Sequence, residues 1–448
     1  LAKTSTRYIC NSCGETTTSW SGRCPYCQAW NTLEEQAVIS GTAQASSKGR
    51  SLNVQAISDA VLKDAKRLTT GVNDIDIVFG GGIVEGSVNL LAGQPGIGKS
   101  TLLMQLAADL SKNNKVLYVS GEESAHQVGL RASRLNTVKS KLELATSTST
   151  DDIASTIASN KYDLVVVDSI QAIASSSLTS GAGTISQITA SAQSLTLAAK
   201  STNTALIIVG HVTKEGNIAG PKVLEHAVDV VLQLEGDRYG GFKILRAIKN
   251  RFGSTNEAGI FEMVEAGLKP VNNPSAALLA ERQISDGSIV LATMEGTRPL
   301  LVEVQALVNK TSYGYPKRAA SGFDLSRLNL LVAMLERRTK LSLADYDIYI
   351  NIVGGIHIKE PAADLAVCLA IGSAAKGLKL QQNYVVFGEV GLSGEVRHVP
   401  YILKRLEEAK KLGFNGAIGP KSSDVKKSSN LLAITDVRSA LNKFLEKN

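Results

Sequence analysis

Five short apolar runs recur between residues 87 and 234: 87–92, 116–120, 163–168, 205–209 and 228–234. Each is five to seven residues long, dominated by Val, Leu and Ile, with little alternation of polar and apolar positions. Runs so short and so continuously apolar predict strands buried on both faces, as in a parallel sheet covered by helices. Stretches 101–110 and 125–135 carry helical spacing between them, and strands alternating with helices make an α/β unit. A further strand is expected at 242–248. From about residue 275 the pattern changes: 288–294 and 300–308 predict strands, 325–338 an amphipathic helix, 346–353 an alternating strand and 362–376 a buried helix.

Bulk properties narrow the class. A chain of 448 residues exceeds one ordinary core, so two or three domains are expected. With 20 % charged and 44 % hydrophobic residues it reads as soluble and globular. It shows neither a run of ~20 apolar residues nor a signal leader, so a cytoplasmic protein without a membrane partner is the expectation. The net charge of +7 is compatible with a polyanionic partner and equally with solvated Lys and Arg.

Residues 93–101 bring in chemistry. Gly93, Gln94, Pro95, Gly96, Ile97, Gly98, Lys99, Ser100 and Thr101 fit the phosphate-binding pattern G-x-x-x-x-G-K-[S/T], between an apolar run and a helical stretch. The glycines let the backbone curl so that its N–H groups point at phosphate oxygens. Lys99 supplies charge to the β- and γ-phosphates, and Ser100 offers a hydroxyl to Mg²⁺. The run 163–168 ends on Asp168, which suits it to hold the same ion, directly or through water. Glu122 and Glu123 follow the end of another strand, where a carboxylate can polarise the water that attacks ATP; Glu122 is placed ahead of Glu123.

Four cysteines, Cys10, Cys13, Cys24 and Cys27, form C-x2-C-x10-C-x2-C. Two such knuckles suit tetrahedral Zn²⁺, and a segment this small needs metal to fold. Disulfides or an iron–sulfur or redox site are the alternatives; without a secretion signal zinc is preferred. Trp20 and Trp30 are expected to cover the site, and Cys368, in an apolar run, to be packing. The domains expected are a zinc module at 1–35, a linker at 36–55, an ATPase at 56–274 and a second α/β domain at 275–448.

Together these residues resemble the RecA-type ATPase core. A closer resemblance, over essentially the whole chain, is to the RadA/Sms family of bacterial DNA repair proteins. The four-cysteine module, Gly210-His-Val-Thr-Lys-Glu-Gly216 with Ala219-Gly-Pro221, and Lys249-Asn-Arg-Phe-Gly253 carry it. Read without that resemblance, 213–221 is a surface loop and Lys249-x-Arg251 a basic strand end whose two cations point to one side. The resemblance implies that His211 senses the γ-phosphate, and that the loop carrying Lys214, with Lys222 nearby, grips DNA. It also implies that Lys249 and Arg251 clamp phosphates, of DNA or of ATP on a neighbouring subunit. The last third is similar to the proteolytic domain of Lon, of the ribosomal-protein-S5-like kind. Its serine position falls on Ala362, and its lysine position on or beside Leu403 and Lys404, so no peptidase is expected. Lys310, Lys317 and Arg318, around Gly314, are either DNA contacts or ordinary surface charge.

The resemblance thus implies a hexameric, ring-shaped, DNA-dependent ATPase using ATP, Mg²⁺ and Zn²⁺. It would be nucleoid-associated, act on single-stranded and branched DNA with the RecA recombinase, and promote branch migration in recombinational repair. The alternatives are a nucleotide-gated ring that does not translocate, a filament-forming strand-exchange protein and an active Lon-like protease.

Overall fold

The computed structural model describes residues 5–10, 15–17, 19–38, 66–211, 222–236, 242–312, 314–380, 383–422 and 430–445. The expected linker residues from 39 onward, Cys13 and Lys214 lie outside these. The chain divides into two compact units, one of Leu1–Glu235, Leu245–Thr255 and Val264–Leu268, the other of Gly236–Ile244, Asn256–Met263 and Lys269–Asn448.

At the N-terminus, β1 (Ser5–Cys10), β2 (Thr16–Thr17) and β3 (Leu33–Val38) pair antiparallel in the order β2-β1-β3. Cys10 and Cys24 are buried with Leu33, and Tyr8 packs against them. The expectation that Trp20 and Trp30 cover the cysteines is corrected here: they are 60 % and 69 % exposed. Leu33 and Tyr8 occupy the space beside the sulfurs, and Trp30 instead takes the Arg23 guanidinium 5.7 Å from its ring centroid.

Next come β4 (Arg67–Leu68), α1 (Asn73–Phe79), β5 (Ile83–Val84), β6 (Val88–Gly93), α2 (Lys99–Leu110), β7 (Val116–Ser120) and α3 (Ala125–Arg134). They are followed by β8 (Glu143–Thr146), α4 (Thr150–Ser159), β9 (Leu164–Asp168), α5 (Ile185–Thr202), β10 (Ala205–His211), α6 (Lys222–Ala227), β11 (Val230–Gly236) and β12 (Phe242–Asn250). The sheet orders these strands β12-β11-β6-β10-β9-β7-β8, and every pairing from β11 to β8 is parallel. Alternate residues explain why each run is apolar throughout. Leu206 and Ile208 pack with Ile157 of α4 and Leu195 of α5, whereas Ile207 faces Leu102 and Leu106 of α2. The sequence reading passed over α5. Its Ser-, Thr- and Ala-rich stretch carries weak apolar contrast, and its inward polar residues Gln187 and Ser191 are satisfied internally.

After β13 (Ala258–Val264) and β14 (Gly267–Pro270), the second unit runs through α7 (Pro274–Leu279), β15 (Ser288–Glu295), β16 (Arg298–Lys310), β17 (Arg318–Ser321), α8 (Leu325–Thr339) and β18 (Tyr346–Ile352). A 3₁₀ turn (Pro361–Ala363) leads into α9 (Asp364–Lys376); then come β19 (Tyr384–Val386), β20 (Glu389–Val390), β21 (Val396–Arg397), α10 (Ile402–Lys411), β22 (Gly416–Pro420), β23 (Leu431–Ile434) and α11 (Val437–Phe444). Its mixed sheet runs β17-β18-β16-β15-β19-β22-β23. Helix α9 is buried continuously from Asp364 to Ser373, as its uniform apolarity predicts, and Cys368 lies inside it. No helix among the described residues is long and apolar enough to cross a membrane.

Candidate nucleotide site

A cavity of about 330 Å³ opens at the C-terminal ends of β6, β7, β9 and β10. Pro95, Gly96, Gly98, Lys99, Ser100, Thr101, Glu122, Glu123, Asp168 and His211 all line it. Gly96 and Gly98 have φ of +78° and +115°, in the left-handed region that L side chains avoid. A Cβ on Gly93 would lie 2.7 Å from the Leu234 carbonyl, so this strand end also needs glycine.

The parallel register sets His211 against Gly93 and Asp168 against Ser120. Lys99 opens α2 and is 5 % exposed. Its ammonium donates to the carbonyls of Gly93 (2.9 Å) and Gln94 (3.1 Å) and lies 3.2 Å from His211 Nδ1. Burial lowers its pKa, against the opposing pull of Asp168 and Glu122. An ammonium only donates, so His211 Nδ1 accepts, and the tautomer assigned by this pairing carries its proton on Nε2. Nε2 lies 3.5 Å from Glu122 Oε1, which also accepts from Ser169 Oγ. The Asp168–Ser169 peptide bond is cis.

The two adjacent glutamates separate chemically. Glu122 joins this chain of polar contacts, whereas Glu123 is ion-paired to Arg131 of α3. Arg131 Nη1 is buried without a hydrogen-bond partner among the described residues. Arg131 and Arg134 line the cavity and were missed by the sequence reading. Their spacing of three on a helix was the available signal, since it sets both on the face turned toward Glu123. Also missed was Tyr118, hidden inside an apolar strand, whose hydroxyl donates to Asp168 Oδ2 at 2.6 Å.

Lys249 and Arg251 do not line this cavity. The Lys249 ammonium donates to the carbonyls of Glu225 (2.6 Å) and Val228 (2.7 Å), capping the C-terminal end of α6, and burial lowers its pKa. Arg251 pairs at 3.3 Å with the buried Asp229, whose other oxygen accepts from the Val88 N–H. Lys222 opens α6. The glycine closing this motif has a steric cause: a Cβ on Gly253 would approach the Gly80 Cα to 2.7 Å.

The sulfurs of Cys10, Cys24 and Cys27 lie within 4.8 Å of one another. Cys10 and Cys27 are 3.5 Å apart, too far for a disulfide and close to the spacing of about 3.8 Å that thiolates adopt around one tetrahedral metal with bonds of ~2.3 Å. In the second unit Ala362 is buried, Leu403 is 51 % exposed and Lys404 donates to the Thr297 carbonyl at 3.1 Å. Two ion pairs lie nearby. Asp364 pairs with Arg327, and Glu360 with the fully buried Arg405. Burial pushes the Asp364 pKa up, against the pull of Arg327.

Residues 62–217 match the model of an AAA domain, 8–35 that of a rubredoxin metal-binding domain and 330–423 that of the ChlI subunit of Mg-chelatase. DNA repair protein RadA of Brucella abortus is 46 % identical, covering 94 % of this chain and 93 % of its own. That of Pseudomonas aeruginosa is 44 % identical, covering all of both chains. Among solved structures, the RadB recombinase covers 46 % of this chain and all of its own, at 24 % identity and a TM-score of 0.37.

Proposed function

The chain belongs to the RadA family of DNA repair proteins, and from that premise we propose that it is a DNA-dependent ATPase and motor. It works as a ring-shaped homo-hexamer on single-stranded and branched DNA. With the RecA recombinase it drives branch migration at the nucleoid in the cytoplasm. The observation that carries this reading is His211. It lies within reach of both Lys99 and Glu122, and it is the last residue of β10 before the chain enters the loop of Lys214.

The triphosphate occupies the curl of 93–101, and Lys99 leaves the Gly93 and Gln94 carbonyls for the β- and γ-oxygens. Mg²⁺, for which Ser100 and Asp168 are the ligands, neutralises charge on those oxygens when bound. Glu122 orients a water and takes its proton. The water oxygen bonds to the γ-phosphorus as the bond to the bridging oxygen breaks, and ADP leaves with that electron pair. His211, having lost Lys99, transmits the change to the loop, where Lys214 and Lys222 meet the DNA backbone. Lys249 and Arg251 act on phosphate across the subunit interface once released from α6 and Asp229. Backbone contacts of this kind are salt-sensitive and indifferent to sequence. Cys10, Cys24 and Cys27, together with Cys13, would hold Zn²⁺, whose role would be structural. Ala362 offers no nucleophile, so the second unit is a scaffold.

The test is the ATPase rate with and without single-stranded DNA, for the native chain and for Lys249→Ala. DNA is expected to stimulate the native protein; the variant keeps ATP binding but loses stimulation and branch movement. Equal branch migration by both would remove the Lys249 motif from the mechanism. DNA binding without movement by the native chain would favour a switching scaffold.

A further inference from the structure

Asp168 sits at the end of β9 and lines the cavity. Tyr118, one strand away on β7, is 1 % exposed, and its hydroxyl donates to Asp168 Oδ2 at 2.6 Å. The register places Ser120 opposite Asp168, so Tyr118 reaches its partner diagonally along the same face of the sheet. The tyrosine ring packs elsewhere in the first unit. With Met104, Val128, Ala132, Leu142 and Leu144 it lines a largely apolar cavity of about 200 Å³ on the far side of α3 from Arg131 and Arg134.

We propose that Tyr118 is a positioning residue for the divalent cation: by holding Oδ2 of Asp168 it presents Oδ1 to the metal of the bound nucleotide. It touches neither metal nor nucleotide. A carboxylate that spends one oxygen on a buried donor has one orientation left, and a ligand already oriented costs the ion less ordering. This rests on the reading of Asp168 as a metal-binding residue.

The experiment compares Tyr118→Phe, Val128→Ala and Asp168→Asn with the native chain. Mn²⁺ binding in the presence of a non-hydrolysable ATP analogue is followed by electron paramagnetic resonance, alongside the Mg²⁺ dependence of ATP hydrolysis. Phe keeps the ring and removes only the donor. Tyr118→Phe is expected to raise the Mn²⁺ dissociation constant and the Mg²⁺ half-saturation five- to tenfold, roughly the net worth of one ordinary hydrogen bond. The rate at saturating Mg²⁺ should stay within about twofold, because the donor acts on occupancy rather than on the transition state. Val128→Ala disturbs the same apolar wall without touching the hydroxyl; it should lower the melting temperature and leave the metal midpoint in place. Unchanged Mn²⁺ affinity in Tyr118→Phe, or a metal midpoint moved equally by Val128→Ala, would overturn the proposal. If Asp168→Asn also binds Mn²⁺ as the native chain does, the metal reading of Asp168 fails as well. A loss in Asp168→Asn alone sinks only the role given to Tyr118.

Discussion

Lys99 is buried and charged, and its ammonium is held by two main-chain carbonyls and an imidazole nitrogen. Its lowered pKa gives a sign that can be checked. In the alkaline window below 10.5 the folded protein binds fewer protons at this site than the unfolded chain, so stability rises with pH there. A bound triphosphate favours the charged form, so ATP binding in that window should be accompanied by net proton uptake. Calorimetry in buffers of different ionisation enthalpy would measure it, and Lys99→Arg, which stays charged, should abolish it. At neutral pH, saturating ATP–Mg²⁺ at about 100 times its dissociation constant should stabilise the native chain by ~2.7 kcal/mol, and Lys99→Met should lose that thermal shift. In the second unit, Arg405→Ala would strand Glu360 and leave the Ala292 carbonyl short of a donor, at a cost of about 3–5 kcal/mol in urea unfolding. The chemistry of the phosphate loop could be read from residue order alone, because its work is done by backbone curl and consecutive side chains. Tyr118 and Arg405 could not be read that way. Each gains its partner across strands or helices, and neither apolar periodicity nor spacing encodes that.

Strands that are apolar throughout were legible because burial on both faces leaves no alternative pattern. Helices that owe their burial to small residues were not, and α5 is the example. At this scale the Lys249 motif acquires a physical content that its spelling lacks. Lys249 caps the last carbonyls of α6, Asn250 donates to the Val78 carbonyl at the end of α1, and Gly253 permits contact with Gly80. Replacing Lys249 by Met should therefore speed amide hydrogen exchange in 222–228 several-fold while leaving exchange in β6 and β10 unchanged, as read by mass spectrometry. Gly253→Ala would force backbone against backbone and should destabilise the first unit. Ser124→Ala removes the capping box that starts α3 and should cost about 1 kcal/mol.

For the whole molecule, the order of modules was readable from composition and cysteine spacing, since metal knuckles and phosphate loops are local in sequence. The mixed sheet of the second unit was not. Its parallel β19–β22 pairing arises from a crossover through α10 that only three-dimensional packing specifies. Among the described residues the cysteine cluster has little core beneath it, Leu33 with Tyr8 packed alongside. Chelation should then unfold residues 5–38 and release one zinc per chain, with the nucleotide-induced thermal shift retained. Loss of that shift on chelation would show that the metal module supports the phosphate loop.

One detail of the sheet bears on the proposed coupling of hydrolysis to motion. Six consecutive rungs tie β10 to β6, the last joining His211 to Gly93. Such a ladder resists slipping, because a one-residue slide would turn every inward side chain outward. On the reading proposed above, a change at the imidazole as phosphate departs would meet that resistance behind it. It would then pass on along the chain after His211, the strand serving as a push rod and the chemistry as its piston.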